Sequence, residues 1–363
     1  MSALPLSATT PVPDTAGTFN VTVQPSGRSF SVNAGEAILA AAIRQGIGLP
    51  YGCKDGACGS CKCKKIEGTV TQGPHQLKAL SLDEAANGFI LTCCGMAHSN
   101  VVIESRQVTD ESAFPVKRMP ARIASLAKAS HDVMVLRLQL PAADVFKYHA
   151  GQYVEVLLRD GDRRAYSMGN APHTQLENPG LELHLRHMPG GKFTDHVFSA
   201  MKEKEIARIE GPFGSFYLRE DSTKPMIFLA SGTGFAPIKA MIEHLLFKGS
   251  TRPVVLYWGG RRPADLYMND WVQARLADMP NLRYVPVISD ALPEDAWLGR
   301  TGFVHKAVLE DFTDLSGHQV YACGAPIVVD SAQAAYLAAD LPSDEFFADS
   351  FVTEKDKAEA TVS

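Results

Sequence analysis

The chain has 363 residues, 45% of them hydrophobic, and a formal net charge of −5. That length predicts two or three domains. The mild charge with no basic run argues against a nucleic-acid partner, and no apolar stretch approaches the roughly 20 residues that cross a bilayer. The first 30 residues lack the continuous apolar core of a secretory signal, so a reducing, cytoplasmic setting is expected, in which the 7 cysteines are not disulfides.

Residues 1–18, rich in Ser, Thr, Ala and Pro, predict a disordered leader. Phe19, Val21 and Val23 then alternate, PSG turns, and RSFSV returns, which predicts a β-hairpin. In EAILAAAIRQGI, Ile38, Leu39, Ile43 and Ile47 share one side of a predicted helix. That helix leads into YGCKDGACGSC, which carries Cys53, Cys58 and Cys61, and Cys93 follows inside ILTCC. C-x4-C-x2-C with a distant fourth Cys is the spacing by which four thiolates hold a [2Fe-2S] cluster. The interleaved Gly52, Gly56 and Gly59 supply the backbone freedom and close approach that such a loop needs. Zinc fits less well, because its knuckles pair two C-x2-C units and only Cys58 and Cys61 are so spaced. Cys63 and Cys94 lie outside the pattern, although spacing alone does not choose between the adjacent Cys93 and Cys94. Hairpin, helix and cluster loop predict a β-grasp domain, closed by a linker in DESAFPVKRMP near residue 115.

From about residue 118 the chain changes to short alternating strands, ARIASLAKASHDVMVLRLQL, GQYVEVLL and LELHLRHM, the last with Leu181, Leu183 and Leu185 on one face. These predict a small antiparallel β-barrel. Within it, Arg164-Ala165-Tyr166-Ser167 offers a cation for a pyrophosphate, a ring to cover a flavin and a hydroxyl for its edge. Gly190-Gly191-Lys192-Phe193-Thr194 opens a predicted helix whose first N–H groups suit phosphate. Each motif alone also describes an ordinary strand or turn. PMIFLA, SGTGFAP and IKAMIEHLLFKG then read as strand, glycine-rich turn and helix, the arrangement of a dinucleotide site. PVVLYW, LRYVPVI and HQVYAC continue a parallel α/β sheet. Gly232-Thr233-Gly234 is followed by Phe235-Ala236-Pro237, which departs from G-x-G-x-x-G and disfavours a standard Rossmann dehydrogenase.

RAYS, GGKFT, GPFG, GTGFAP and YACGAP stand in the order found in ferredoxin–NADP reductase-like flavoproteins, and with the cluster loop ahead of them the chain resembles oxygenase-type reductases over residues 19 to about 352. Through YGCKDGACGSCK, ELHLRHMPGGKFTDHVF, EGPFGSFYLRED, YWGGRRPADLY, GRTGFVH and EFFADSF it is also similar to the electron donors of 3,6-dideoxysugar synthesis. The resemblance implies a multidomain α+β chain: leader 1–18, [2Fe-2S] β-grasp domain 19–112, antiparallel FAD barrel 116–220, and parallel α/β NAD(P) domain 221–355. It favours Cys93 over Cys94 as the fourth metal ligand beside Cys53, Cys58 and Cys61. It implies Arg164 at the FAD pyrophosphate, Tyr166 against the ring and Ser167 near its reactive nitrogen. It implies Gly191, Lys192 and Thr194 at the pyrophosphate turn, and Gly232, Thr233, Gly234 and Pro237 at the nicotinamide-dinucleotide turn. Cys323, Gly324 and Pro326 would bring a thiol to the nicotinamide, with Ser167 and Cys323 as the catalytic pair. Phe346, Phe347 and Phe351 could set an aromatic near the flavin or could simply fill a core.

A nicotinamide releases two electrons as hydride and a [2Fe-2S] cluster accepts one, so a flavin must stand between them. The expected path is NAD(P)H, FAD, cluster, then an external protein acceptor, either a deoxysugar dehydrase or a terminal Rieske-type or other multicomponent oxygenase. Direct reduction of free flavin or another small acceptor is the alternative. Arg261 and Arg262 would permit NADPH, whereas the narrower resemblance implies NADH. Lys54, Lys62, Lys64 and Lys65, against Asp55 and Glu67, predict a mildly basic edge beside the cluster that could steer an acidic partner.

Overall fold

The computed structural model describes residues 17–108, 114–142, 145–177, 179–353, 356 and 361–362. Nearly all of the expected leader, and the opening of the expected linker, lie outside these residues.

The N-terminal sheet begins with the hairpin Thr18–Gln24 and Arg28–Asn33, in which Val21 faces Phe30 and both are buried. Its order is Arg28–Asn33, Thr18–Gln24, Val101–Glu104, Lys62–Glu67, Phe89–Leu91. The Thr18–Gln24 and Val101–Glu104 strands run parallel and the other pairs antiparallel, giving the mixed sheet of a β-grasp. The helix Ile38–Arg44 buries Ile38, Leu39, Ala41 and Ala42. It is shorter than its apolar pattern, because Gly46 at φ 71° turns the chain towards the cysteine loop.

The middle sheet is antiparallel, in the order Arg163–Ser167, Tyr153–Leu157, Ile206–Phe213, Lys117–Lys128, Val133–Gln139, Gly180–Arg186. Its edges meet through a Met168–Leu183 bridge and a Gly169 N–H bond to Glu182 O at 2.7 Å, so the sheet closes on itself. Leu181, Leu183 and Leu185 fill its interior, as their alternation predicts. The intervening Glu182 and His184 are also buried, because the C-terminal sheet's helix Phe235–Phe247 brings Lys239 against them.

The C-terminal sheet is wholly parallel: Arg300–Thr301, Leu282–Ile288, Val254–Gly260, Met226–Ser231, Gln319–Gly324, Phe346–Ser350. Phe228, Trp258 and Tyr321 join one core and Ile227, Tyr257 and Val320 the other, the two-faced burial of a doubly covered sheet. The strand order reverses at Met226–Ser231, whose neighbours are Val254–Gly260 on one side and Gln319–Gly324 on the other. Such a switch opens a crevice at the carboxyl ends of the strands. Both glycine motifs, Gly232–Gly234 and Gly324, stand there.

Candidate functional site

The cysteine loop holds its thiols in two pairs. The Cys58 N–H points at Cys53 Sγ at 3.3 Å, and the Cys53 N–H points at Cys58 Sγ at 3.4 Å. Cys93 makes a side-chain contact with Cys61 and lies 3.3 Å from Cys94 Sγ. The Cys53 thiol is pushed up and the Cys58 thiol down, chiefly because the two share one hydrogen bond. Among the described residues no three His, Cys, Asp or Glu side chains converge on one point. Two separate dithiol pairs suit a binuclear iron cluster better than a single four-thiolate zinc cage. Gly56, at φ 77°, has no room for a side chain: a Cβ there would sit 2.8 Å from Cys94 Sγ and 2.9 Å from Pro74 O. Both backbone freedom and close approach are therefore used at this glycine.

The second group lies where the strand Arg163–Ser167 faces the helix Lys192–Ser199. Arg164 Nη2 and Lys192 Nζ lie 3.3 Å and 2.7 Å from the same Asp162 Oδ2, which gathers both cations on one side. Lys192 also pairs with Asp160 at 2.6 Å. The helix starts at Gly191 without a side-chain cap. A Cβ there would strike Thr194 Oγ1 at 2.6 Å and Met188 O at 2.8 Å. Thr194 is buried, its hydroxyl bonded to Met188 O at 3.0 Å, so it braces the turn. Tyr166 is half-buried, its ring centroid 5.6 Å from that of Phe193. Two cations beside an uncapped helix start have the chemistry of a pyrophosphate cradle.

The third group forms the switch-point crevice. Gly232 takes φ 53°, and its carbonyl accepts from Trp258 Nε1 at 3.2 Å. Phe235 stacks on that indole with centroids 3.9 Å apart. A Cβ on Gly234 would lie 2.2 Å from Cys323 O, and one on Gly324, at φ 130°, 2.3 Å from Ser231 Oγ. The GTG turn and the CGAP turn are thus packed backbone against backbone. Ser231 Oγ also accepts the Ala325 N–H at 2.9 Å. Pro237 is buried inside the helix Phe235–Phe247, Pro326 starts the helix Pro326–Leu337, and Cys323 is buried at the sheet end. Burial raises the Cys323 thiol well above its ordinary value, with a further push from Asp349.

Asp349 is the residue that sequence reasoning passed over. It lies in the edge strand Phe346–Ser350, in register with Cys323. Ser167 Oγ donates to its Oδ2 at 3.4 Å, and its Oδ1 would be 3.5 Å from a Cβ on Gly52, next to Cys53. The Asp349 carboxyl therefore lies beside the end of the RAYS strand and the entrance of the cysteine loop, while its own backbone is the register partner of Cys323. Burial raises its pKa to about 7, reinforced by the Cys58 charge and opposed by the Ser167 hydrogen bond. A lone acid inside the apolar run FFADSF was the available signal, since buried carboxylates are rare without a task. The aromatics around it mostly serve packing: Phe347 stacks on Tyr321 at 4.9 Å and Phe346 is buried against Tyr336. Phe351 is half-buried, its N–H bonded to Gly324 O at 2.8 Å.

Two of the four lysines expected to form a basic edge beside the cluster are paired with carboxylates. Lys54 turns inward to Glu155 at 2.5 Å, and Lys62 pairs with Glu84 at 2.6 Å. Lys64 bonds the Asn87 carbonyl and Lys65 that of Gly68. Arg262 is clamped on both oxygens of Asp295 at 2.8 Å, while Arg261 is exposed and 3.4 Å from Asp290.

Comparison with known proteins reaches each of the three larger sheets. Residues 21–98 match the model of a 2Fe-2S iron-sulfur cluster binding domain, residues 120–217 that of an oxidoreductase FAD-binding domain, and residues 228–334 that of an oxidoreductase NAD-binding domain. The chain is 39% identical to the CDP-6-deoxy-L-threo-D-glycero-4-hexulose-3-dehydrase reductase of Yersinia pseudotuberculosis, over 93% of this chain and 99% of that one. It is 36% identical to terephthalate 1,2-dioxygenase reductase component 1 of a Comamonas species, over 91% and 96%. The solved structure of an Amycolatopsis cytochrome P450 reductase superposes with a TM-score of 0.74 at 30% identity, covering 92% of this chain and 98% of that one. The chain belongs to the iron–sulfur flavoprotein NAD(P)H reductases, with a 2Fe-2S domain ahead of FAD- and NAD-binding domains.

Proposed function

We propose that this reductase draws on NADH and delivers electrons through its cluster to a separate protein acceptor, a sugar dehydrase of the kind served by the Yersinia relative. The observation that supports the route is the position of Asp349, whose carboxyl accepts from Ser167 of the RAYS strand and lies beside Gly52 of the cysteine loop, and whose strand pairs in register with Cys323. Bound FAD would supply the conversion between a two-electron hydride donor and a one-electron cluster.

The chain's own residues bind, orient and exclude water. Cys53 with Cys58, and Cys61 with Cys93, would each hold one iron, and the Cys53 and Cys58 N–H groups already point at sulfur. Arg164 and Lys192 would exchange Asp162 for the FAD pyrophosphate, with Gly191 and Thr194 shaping the turn. Tyr166 would cover the ring, and Ser167 would present its hydroxyl to the ring edge. Gly232, Thr233, Gly234 and Pro237 would seat the dinucleotide phosphates. Cys323, Gly324 and Pro326 would wall the nicotinamide pocket, with the thiol kept neutral by burial. The proton that accompanies hydride chemistry would rest on the Ser167–Asp349 pair, whose carboxyl titrates near neutrality.

The pairing of Arg262 supports the choice of NADH. Its guanidinium fork is filled by Asp295, and accepting a 2′-phosphate would break that bidentate pair. A second acceptor class, a terminal oxygenase, is favoured by the Comamonas relative at nearly equal identity. The test is an anaerobic titration of holoprotein with each nucleotide. NADH is expected to bleach flavin and cluster absorbance together at a lower concentration than NADPH, and a clear preference for NADPH would refute the cofactor assignment. Coupled turnover with a purified CDP-6-deoxy-hexulose dehydrase, set beside an oxygenase component, then decides the acceptor.

A further inference from the structure

We propose that Lys54 is a positioning residue for electron transfer, pinning the cluster loop to the strand Tyr153–Leu157, which pairs with the strand that carries the flavin motif. The proposal rests on the reductase reading above and adds to it how the gap between the two redox sites is held.

Lys54 lies between Cys53 and Cys58 with φ 66°, the left-handed region. A residue with a Cβ is strained there where glycine would not be. The same loop uses glycine at φ 77° and 79°, at positions 56 and 59. A lysine at such a position needs a compensating interaction, and the structure supplies two. Its Nζ is 2.5 Å from Glu155 Oε1 and 3.5 Å above the centre of the Phe213 ring. The Glu155 side chain is only 8% exposed, and its other oxygen is held by Arg163 at 2.8 Å. A desolvated charge pair with a cation–π contact holds far more firmly than an exposed pair.

Contacts of the two residues before Cys53 repeat the attachment. Tyr153 OH donates to Gly52 O at 2.7 Å. The Tyr51 N–H bonds Ser215 Oγ at 2.8 Å, and the Ser215 N–H returns to Tyr51 O at 3.1 Å. Tyr153 and Glu155, two residues apart, point to the same face of their strand. That strand is hydrogen-bonded to the next in the register Tyr153–Ser167 and Glu155–Ala165. One rigid ladder therefore links the lysine beside Cys53 to the hydroxyl proposed for the flavin edge. A rigid link of this kind fixes the distance the electron crosses, independently of how hydride reaches the flavin.

The experiment is rapid mixing of holoprotein with NADH, following flavin and cluster absorbance separately, for wild type, Lys54→Met, Lys54→Arg, Glu155→Gln and the Lys54→Met/Glu155→Gln double variant. Iron and flavin content are measured on each. In Lys54→Met the hydride step and both cofactor contents are expected to stay at wild-type values. Cluster bleaching is expected to slow on the order of tenfold to a hundredfold, the scale at which small displacements affect positioned reactions. Lys54→Arg should restore most of the rate, and the double variant should be no slower than either single one. Glu155→Gln leaves the cysteine loop untouched, so it carries the test even if Lys54→Met loses iron. Cluster bleaching at the wild-type rate in Glu155→Gln, or equal slowing of the hydride step, overturns the positioning role. A wild-type holoprotein whose cluster NADH cannot reduce at all overturns instead the reductase reading on which the proposal stands.

Discussion

Replacing Lys239 by Met should loosen the junction between the barrel and the parallel sheet by about 3–5 kcal/mol, the usual loss when one partner of a buried ion pair is removed. Lys239 is 3% exposed. Its Nζ lies 3.1 Å from Glu182 Oε1, 2.6 Å from Glu243 Oε1 and 3.0 Å from Gly169 O, and 5.0 Å above the Trp271 ring. Methionine fills most of the same space, so the loss is electrostatic: the buried Glu182 and the partly exposed Glu243 each lose a cation. An independent figure comes from Glu182. Burial raises its pKa, but the His184 hydrogen bond and the Lys239, His184 and Arg137 charges outweigh that and hold it at about 2, against 4.5 in a free chain. At 1.36 kcal/mol per pH unit this interaction contributes about 3 kcal/mol, shared among those partners. Because the folded value is depressed, the contribution is present above pH 4.5 and is lost as pH falls towards 2. Urea unfolding followed by tryptophan fluorescence at pH 7 should show a midpoint lowered on the order of 1–2 M. The Lys239→Met/Glu182→Gln double variant should recover part of it. A loss below about 1 kcal/mol, or a double variant as unstable as the summed single ones, would refute the reasoning.

Asp349→Asn should flatten the pH dependence of hydride transfer between pH 6 and 8, measured by stopped-flow flavin bleaching, because the carboxyl titrates near 7. Its sign in stability is the reverse of Glu182. A raised carboxyl binds a proton that the unfolded chain releases, so stability falls as pH climbs from 3.8 to about 7, by about 4 kcal/mol, and the Asn variant should lose that slope in urea titrations of the apoprotein. Gly234→Ala should cost about 1–3 kcal/mol and raise KM for the nucleotide, since the added Cβ would meet Cys323 O at 2.2 Å. Bound FAD, assayed by its absorbance, should be retained. Cys93→Ser should reduce iron content and cluster absorbance sharply, whereas Cys94→Ser should leave both near wild type. Equal loss in the two would reassign the fourth ligand.

Much of the chemistry could be read from the chain because it depends on short-range pattern. The cysteine spacing, the strand–GTG–helix passage and the RAYS segment are each local, and local geometry follows from which residues tolerate positive φ, donate N–H groups or alternate in and out of a strand. The third sheet's two-faced apolar strands announced a parallel sheet for the same reason. Long-range docking left no such mark. Lys54 looked like one of four cations on a solvated edge, and only the seating of the N-terminal sheet on Glu155 and Phe213 turned it inward. Glu182 and His184 looked like the polar side of an alternating strand until the helix Phe235–Phe247 covered them. Asp349 stood among aromatics that drew the eye to packing. Its position beside the RAYS strand and the cysteine loop depends on a strand pairing with Gln319–Gly324 and on a loop some 300 residues earlier in the chain. Periodicity and spacing encode what a segment does with its own neighbours, whereas the burial of a charge is decided by whichever distant surface comes to rest against it.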